Sequence, residues 1–297
     1  MSSIGRLLTA MVTPFHEDMS LDYKQSRNLA SKLIASGSDG LVVSGTTGES
    51  PTLTTDEKLR LFQEIRDELG TSGQVIAGVG NYSTSESIDL AKEAESIGVD
   101  GLLLVVPYYN KPPQEGLYQH FKAIATSTNL PCILYNVPSR TITNLESATT
   151  ARLSEIDNIV GIKEASGDLA QIARIHTSTN PSFKIWSGND SDTYPLLSLG
   201  GYGVVSVASH LVGSQIKELI QLTLNEDIGS AQKKHLQLMP LFTGLFWMAN
   251  PIPVKYALNK IGFQVGPTRL PLTGMEDGLA KRLDEILDAC VIDIKTS

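Results

Sequence analysis

Lys163 is the residue of this sequence whose type and position best suit covalent chemistry. It ends an apolar run, Ile159 to Lys163, that is typical of a buried β-strand. Desolvation at such a position favours an uncharged amine, and an uncharged amine can attack a ketone to form an imine. The alternative is a lysine that only forms an ion pair with its neighbour Glu164, and position alone does not decide between the two.

Four further polar residues could serve such an imine. Tyr135, near the end of another apolar run, could shuttle protons, or it could be a core tyrosine with a satisfied hydroxyl. Thr46 and Thr47 lie in a glycine-flanked loop that either directs backbone N–H groups at a carboxylate or is a plain turn. Arg140 could bind a second carboxylate, or it could be a solvated surface residue.

Other catalytic chemistry has no signature in the sequence. The five histidines show no metal-ligand spacing such as H-E-x-x-H. There is no G-x-S-x-G turn for a nucleophilic serine and no Walker loop for a nucleotide. The sequence therefore predicts no metal site.

Eight short apolar runs must position these residues. They show little alternation between apolar and polar positions, which is typical of strands covered on both faces. The runs are Leu7 to Val12, Gly40 to Ser44, Val75 to Val79, Gly101 to Val106, Cys132 to Asn136, Ile159 to Lys163, Phe183 to Ser187 and Gly203 to Val207.

Segments with helical spacing separate the strands. Thr54 and Glu57 form a capping box before one such segment, and Gly70 follows it as a stop signal. Repeated βα units in this number predict an α/β protein with a closed (β/α)8 TIM barrel. An open doubly wound sheet is the rival, but it usually carries a glycine-rich loop after its first strand, where this chain has Thr13-Pro-Phe15.

The pattern changes after the eighth run. Residues 213–225 are predicted to form the last barrel helix, and the segments 231–248, 253–261 and 275–289 also have helical spacing. We therefore predict a catalytic barrel at residues 1–225 and a C-terminal helical domain at residues 226–297.

Composition limits the partners and the compartment. The formal net charge of -8 argues against nucleic acid or an anionic membrane as the main partner, since both need a basic face. The N-terminus lacks the apolar core of a secretory signal, and no apolar run is long enough to span a bilayer. The two cysteines, Cys132 and Cys290, fit reduced thiols in the cytoplasm.

The candidate residues all follow strands of the predicted barrel. In TIM barrels the active site forms at the C-terminal ends of the strands. The segments that stand there are Gly45-Thr-Thr-Gly-Glu49, Pro107-Tyr-Tyr-Asn110, Tyr135-Asn-Val-Pro-Ser-Arg140, Gly161-Ile-Lys-Glu164 and Ser187-Gly-Asn-Asp190.

At these motifs the sequence resembles the dihydrodipicolinate synthase family, within the wider superfamily of pyruvate aldolases. The resemblance covers essentially the whole chain and includes Asn250-Pro-Ile-Pro-Val-Lys255 near the C-terminus. It implies that Lys163 forms an imine with pyruvate and that the resulting enamine attacks L-aspartate 4-semialdehyde. This reaction belongs to lysine and diaminopimelate biosynthesis and requires no metal or organic cofactor.

The resemblance also implies the roles of single residues. Tyr135, Thr46 and Tyr109 would relay protons, and backbone amides at Thr46 and Thr47 would hold the pyruvate carboxylate. Arg140 would hold the carboxylate of the semialdehyde. Two further residues, Gly188 and Val205, would line the pocket.

Family members are usually homotetramers built from two dimers, in which the second tyrosine of the Tyr-Tyr pair, here Tyr109, crosses to a neighbouring subunit. Lysine-inhibited members tend to have His where Lys58 stands and Asn where Tyr82 stands, so we expect weak or absent inhibition by lysine. Asn189 stands where many relatives have an acid, which leaves a charge-based role at that position in doubt. The alternatives are another pyruvate-dependent aldolase and a non-catalytic barrel.

Overall fold

A computed structural model describes residues 4–295 and contains a closed barrel of eight parallel strands in sequential order. The predicted TIM barrel is thereby confirmed, and every strand lies within two residues of its predicted bounds. The strands are β1 Leu7–Ala10, β2 Gly40–Val43, β3 Gln74–Gly78, β4 Gly101–Val105, β5 Cys132–Asn136, β6 Ile159–Glu164, β7 Lys184–Ser187 and β8 Gly203–Ser206.

Helices follow each strand and continue past the barrel. The described helices are α1 Tyr23–Ala35, α2 Thr55–Leu69, α3 Thr84–Ile97, α4 Gln114–Ala125, α5 Pro138–Thr141, α6 Ser147–Leu153, α7 Leu169–Ser178, α8 Thr193–Ser198, α9 Ser209–Leu224, α10 Ile228–Gly244, α11 Ile252–Lys260 and α12 Asp277–Ala289. The predicted capping box is present at α2, where the Thr54 side chain and the Glu57 side chain accept hydrogen bonds from each other's backbone N–H.

Two C-terminal helices differ from their predicted bounds by more than two residues, and one of them, α10, also ends four residues earlier than predicted, at Gly244. Helix α9 begins at Ser209 instead of Gly213, and its first turn is separated from the rest by non-helical backbone at Val212. Helix α10 begins three residues early because the Asp227 carboxylate accepts a hydrogen bond from the Ser230 N–H, at 3.2 Å.

The buried apolar side chains form two layers. One cluster fills the inside of the barrel and includes Val42, Leu103, Tyr135 and Val205. The other lies between the strands and the surrounding helices. Because side chains alternate along a strand, neighbouring residues of one strand belong to different layers.

A buried histidine joins the first and last strands, where the barrel closes. The His210 Nε2 accepts a hydrogen bond from the Val12 N–H at 3.1 Å, and its Nδ1 bonds the Val207 carbonyl at 2.8 Å. Burial lowers the pKa of His210 to about 4. The ring is therefore neutral near pH 7, with one nitrogen as donor and the other as acceptor.

The C-terminal helices pack directly on the barrel. Leu241, Leu258 and Leu283 belong to the same core cluster as Leu29 and Ile216 of the barrel helices. The predicted division at residue 225 falls between α9 and α10 and stays a prediction. The outer ends of the two predicted domains, residues 1–3 and 296–297, lie outside the described residues. No helix within residues 4–295 is long and apolar enough to cross a bilayer.

Candidate active site

Lys163 and Tyr135 lie side by side at the C-terminal end of the barrel. The two residues are paired in the β5–β6 register, so their side chains point to the same face. The Lys163 side chain is 5% exposed, and its Nζ lies 4.0 Å from the centroid of the Tyr135 ring. No carboxylate within residues 4–295 comes within ion-pair distance of this amine. The amine is thus buried beside a phenol and forms no direct ion pair among these residues, although its charge also acts on the buried Asp190 carboxylate.

Glu164 points to the opposite face of β6, into the layer between strands and helices. Its carboxylate accepts hydrogen bonds from Asn136 Nδ2 at 3.1 Å, Gln171 Nε2 at 3.1 Å and the Ser166 N–H at 2.8 Å. Burial raises the pKa of Glu164, although the hydrogen bonds from Asn136 and Ser166 act in the opposite direction. The ion pair between Glu164 and Lys163 that the sequence left open is not formed.

Gly188, directly after β7, lies close to the Lys163 side chain. A Cβ atom at Gly188 would lie 3.2 Å from the Lys163 Cε and 2.6 Å from the Ala165 Cβ, so only glycine fits at this position without displacing a neighbour. Val205 is buried inside the barrel, in the same cluster as Tyr135.

Asp190 is a second buried carboxylate at this end of the barrel. It accepts hydrogen bonds from the Val207 and Ala208 N–H groups, both at 3.0 Å, and from the Ser206 hydroxyl. Burial raises the pKa of Asp190, and these hydrogen bonds and the charge of Lys163 oppose that effect. Asn189 instead donates to the Asp192 carboxylate at 2.8 Å.

A cavity of about 200 Å³ opens at this end of the barrel. Thr46, Tyr135 and Arg140 are among its lining residues, together with Tyr108, whereas Lys163 lies behind the Tyr135 ring and is not among them. The backbone N–H groups of Thr46 and Thr47 donate to no group within residues 4–295. Of the two residues, Thr46 lines the cavity and Thr47 is buried behind it. Two adjacent free N–H groups beside a cavity can bind an anion.

Arg140 and Thr47 are connected through one residue of the C-terminal extension. Arg140, in the last turn of α5, donates from Nη2 to the Asn250 carbonyl at 3.3 Å. The Asn250 side chain donates from Nδ2 to the Thr47 Oγ1 at 2.8 Å. The two predicted carboxylate sites therefore share a support.

Tyr109 does not reach this cavity within its own chain. It is 94% exposed and has a left-handed backbone, with φ of 72°. Its neighbour Tyr108 lines the cavity and also a second one, which Lys58, Tyr82 and Glu86 line as well.

Comparison with known proteins identifies the family. The model of the dihydrodipicolinate synthetase family matches residues 3–290. A 4-hydroxy-tetrahydrodipicolinate synthase of Dehalococcoides mccartyi is 56% identical over 294 residues, which is 99% of each chain. This chain belongs to the dihydrodipicolinate synthetase family. The family resemblance inferred from the sequence is confirmed.

Solved structures of the dihydrodipicolinate synthetase family share the whole fold. A dihydrodipicolinate synthase from Bacillus anthracis superposes with a TM-score of 0.96 at 44% identity, over 98% of this chain and 100% of that one. A synthase from Cyanidioschyzon merolae, solved with lysine bound, has a TM-score of 0.95 at 48% identity, over 96% and 98%.

In this family member, a buried ion pair supports the loop after β2. Lys255 Nζ lies 2.9 Å from the Glu49 carboxylate, and both side chains are almost fully buried. The ammonium also donates to the carbonyls of Thr13 and Pro267, at 2.9 and 2.6 Å. Burial lowers the pKa of Lys255, and Glu49 opposes this effect. Both residues stand in motifs that the sequence singled out, but nothing in the sequence indicated that they pair.

Proposed function

We propose that this enzyme condenses pyruvate with L-aspartate 4-semialdehyde, as the sequence resemblance implies and in keeping with its relatives, which are named 4-hydroxy-tetrahydrodipicolinate synthases. The observation that carries the proposal is the buried Lys163 amine, which lies 4.0 Å from the centroid of the Tyr135 ring and forms no ion pair within residues 4–295. The place of the reaction in lysine and diaminopimelate biosynthesis, and the cytoplasm as its compartment, are part of the proposal.

The reaction begins at the Lys163 amine. The amine attacks the keto carbon of pyruvate, and water leaves as the imine forms. Loss of a methyl proton converts the imine into an enamine, whose carbon attacks the aldehyde of the semialdehyde. The amine of the second substrate then displaces Lys163 and closes the ring, which frees the enzyme.

Proton transfer and substrate binding are divided among the surrounding residues. Tyr135 stands beside the reacting nitrogen and, with Thr46 and Tyr109, relays protons. The free N–H groups of Thr46 and Thr47 hold the pyruvate carboxylate. Gly188 leaves room for the lysine side chain, and Val205 belongs to the barrel lining beside Tyr135.

Tyr109 requires a second copy of the chain to take part in this relay. Its ring is exposed although its neighbour Tyr108 lines the cavity, which supports insertion of Tyr109 into a neighbouring subunit. The homotetramer expected from the resemblance, a dimer of dimers, would supply that neighbour.

Substitution of Arg140 should affect the use of the semialdehyde but not the binding of pyruvate. We expect Arg140→Ala to lower kcat/KM for the semialdehyde by about 10- to 100-fold, because hydrogen bonds to a charged carboxylate are worth roughly 1.5 to 3 kcal/mol. Borohydride trapping of the pyruvate adduct should remain as in the wild type. Steady-state kinetics with each substrate varied, and mass measurement after reduction, give the two values.

The matched control is Arg152→Ala, which removes an exposed arginine paired with Glu115 and should change neither value. Loss of the pyruvate adduct in Arg140→Ala would show that the two carboxylate sites are not divided as proposed. The reaction itself is tested by offering pyruvate with a panel of aldehydes, and failure to turn over the semialdehyde would reject it.

Lysine should inhibit weakly or not at all, as the resemblance suggested. Lys58 is partly buried at the second cavity, where its positive charge opposes the binding of a cationic ligand. Three carboxylates also line that cavity, and one of them, Glu86, interacts with Lys58, so we expect the repulsion to be modest. A steady-state assay with added lysine tests this, and strong inhibition at sub-millimolar lysine would contradict it. Lys58→His with Tyr82→Asn should increase the inhibition.

A further inference from the structure

Asn250 contacts both residues to which the proposed function assigns a substrate carboxylate. It lies between α10 and α11 and is 6% exposed. Its side chain donates to the Thr47 Oγ1 at 2.8 Å, while its backbone carbonyl accepts from Arg140 at 3.3 Å. The contact to Thr47 thus depends on the side chain, and the contact to Arg140 does not.

The orientation of the Asn250 amide follows from what remains unpaired. Its Oδ1 is buried and has no hydrogen-bond partner within residues 4–295. The reversed orientation would leave the NH2 group buried and unpaired instead. An unpaired buried N–H is rarer in folded proteins than an under-satisfied carbonyl oxygen. The amide therefore acts as a donor toward Thr47.

This donor decides what the Thr47 hydroxyl can do. A hydroxyl that accepts from an amide keeps its own hydrogen for another acceptor. Within residues 4–295 the Thr47 hydroxyl donates to no group. Its hydrogen is thus available beside the free N–H groups of Thr46 and Thr47.

We propose that Asn250 is a positioning residue for pyruvate, which orients the Thr47 hydroxyl as a donor to the substrate carboxylate. The inference rests on the proposed function and adds a residue from the C-terminal extension to the pyruvate site. The hydroxyl and the two N–H groups together present three donors to one anion. Hydrogen bonds to a charged group are the strong ones, so the orientation of this hydroxyl affects pyruvate affinity directly.

Two substitutions test this orientation. Asn250→Asp has nearly the same shape but replaces the donor with an acceptor, so the Thr47 hydroxyl turns toward the new carboxylate and is lost to pyruvate. We expect KM for pyruvate to rise by about tenfold or more, which corresponds to about 1.4 kcal/mol. Asn250→Ala leaves the Thr47 hydroxyl free to rotate and should raise KM for pyruvate less than Asn250→Asp does. KM for the semialdehyde should change by less than about twofold in both, because the backbone carbonyl that supports Arg140 is kept.

The control for general damage is Asn259→Ala. Asn259 also holds a loop of the C-terminal extension, through the Gly266 carbonyl and the Val265 N–H, but it contacts none of the proposed site residues. The Asn259→Ala substitution should lower the midpoint of thermal unfolding and leave KM for both substrates unchanged. In the Thr47→Val background, Asn250→Ala should raise KM for pyruvate no further, since the hydroxyl that it orients is already gone.

The outcomes separate the inference from the proposed function. If Asn250→Asp traps pyruvate at the same concentration as the wild type, or if both KM values rise by the same factor, Asn250 has no role specific to pyruvate. If the wild type itself yields no borohydride adduct with pyruvate, the proposed function fails, and this inference fails with it.

Discussion

Lys163→Ala should abolish the pyruvate adduct and lower turnover by about 10³-fold or more, because the covalent path is lost with the amine. The side chain lies inside the barrel against the Tyr135 ring and forms no ion pair in residues 4–295. Its charge acts on the buried Asp190 carboxylate, but that carboxylate keeps its hydrogen bonds from Ser206, Val207 and Ala208 when the amine is removed. The fold should therefore survive. Borohydride reduction in the presence of pyruvate, followed by mass measurement of the protein and its peptides, locates the adduct.

Lys184→Ala is the matched control for this experiment. The Lys184 ammonium also lies over an aromatic ring, 4.4 Å from the centroid of Tyr202. It stands at the start of β7, at the opposite end of the barrel, beside a different cavity. Its removal should leave the adduct and the turnover intact. An adduct that persists in Lys163→Ala, or that maps to another lysine, would remove the basis of the mechanism.

Lys255→Met should lower the free energy of unfolding by about 3 to 5 kcal/mol, the range found when one partner of a buried ion pair is removed. The substitution keeps most of the side-chain volume but leaves the Glu49 carboxylate buried without its counter-ion. It also removes the donor from the carbonyls of Thr13 and Pro267. Urea unfolding at one fixed protein concentration measures the change.

Lys260→Met is the control on the same helix, α11. Lys260 pairs with Asp284 at 2.7 Å, but its side chain is about half exposed, so its loss should lower the free energy of unfolding far less than the loss of Lys255. Adding Glu49→Gln to Lys255→Met should restore part of the stability, since the unpaired charge is then gone. If Lys255→Met and Lys260→Met lowered the free energy of unfolding equally, burial of the pair between Lys255 and Glu49 would not contribute to stability as expected.

The strands were predictable because a strand that is buried on both faces has apolar residues at consecutive positions. All of β5, Cys132–Asn136, is buried, so an uninterrupted apolar run marks it. The starts of α9 and α10 were harder to predict. The first turn of α9 is buried and separated by the Val212 kink, which hides helical periodicity, while the Asp227 cap of α10 was a local signal that could have been used.

The geometry of the candidate site was predictable as far as strand position decides it. The rule that barrel chemistry lies at the C-terminal strand ends indicated Lys163 and Tyr135, and these side chains do meet. Strand alternation could also have excluded the pair between Lys163 and Glu164, because adjacent residues of a strand point to opposite faces. The contacts of Asn250 with Thr47 and of Lys255 with Glu49 could not be derived in this way, since each joins residues more than 200 positions apart.

That separation has a consequence for how the protein is made. The Glu49 carboxylate emerges from the ribosome 206 residues before Lys255, and chains of this size fold as synthesis proceeds. Until α11 has been translated, the loop after β2 lacks the Lys255 ammonium that pairs with Glu49 and the Asn250 amide that donates to Thr47. The loop after β2, although encoded early, therefore gains these contacts of its final structure only after residue 255 has been translated.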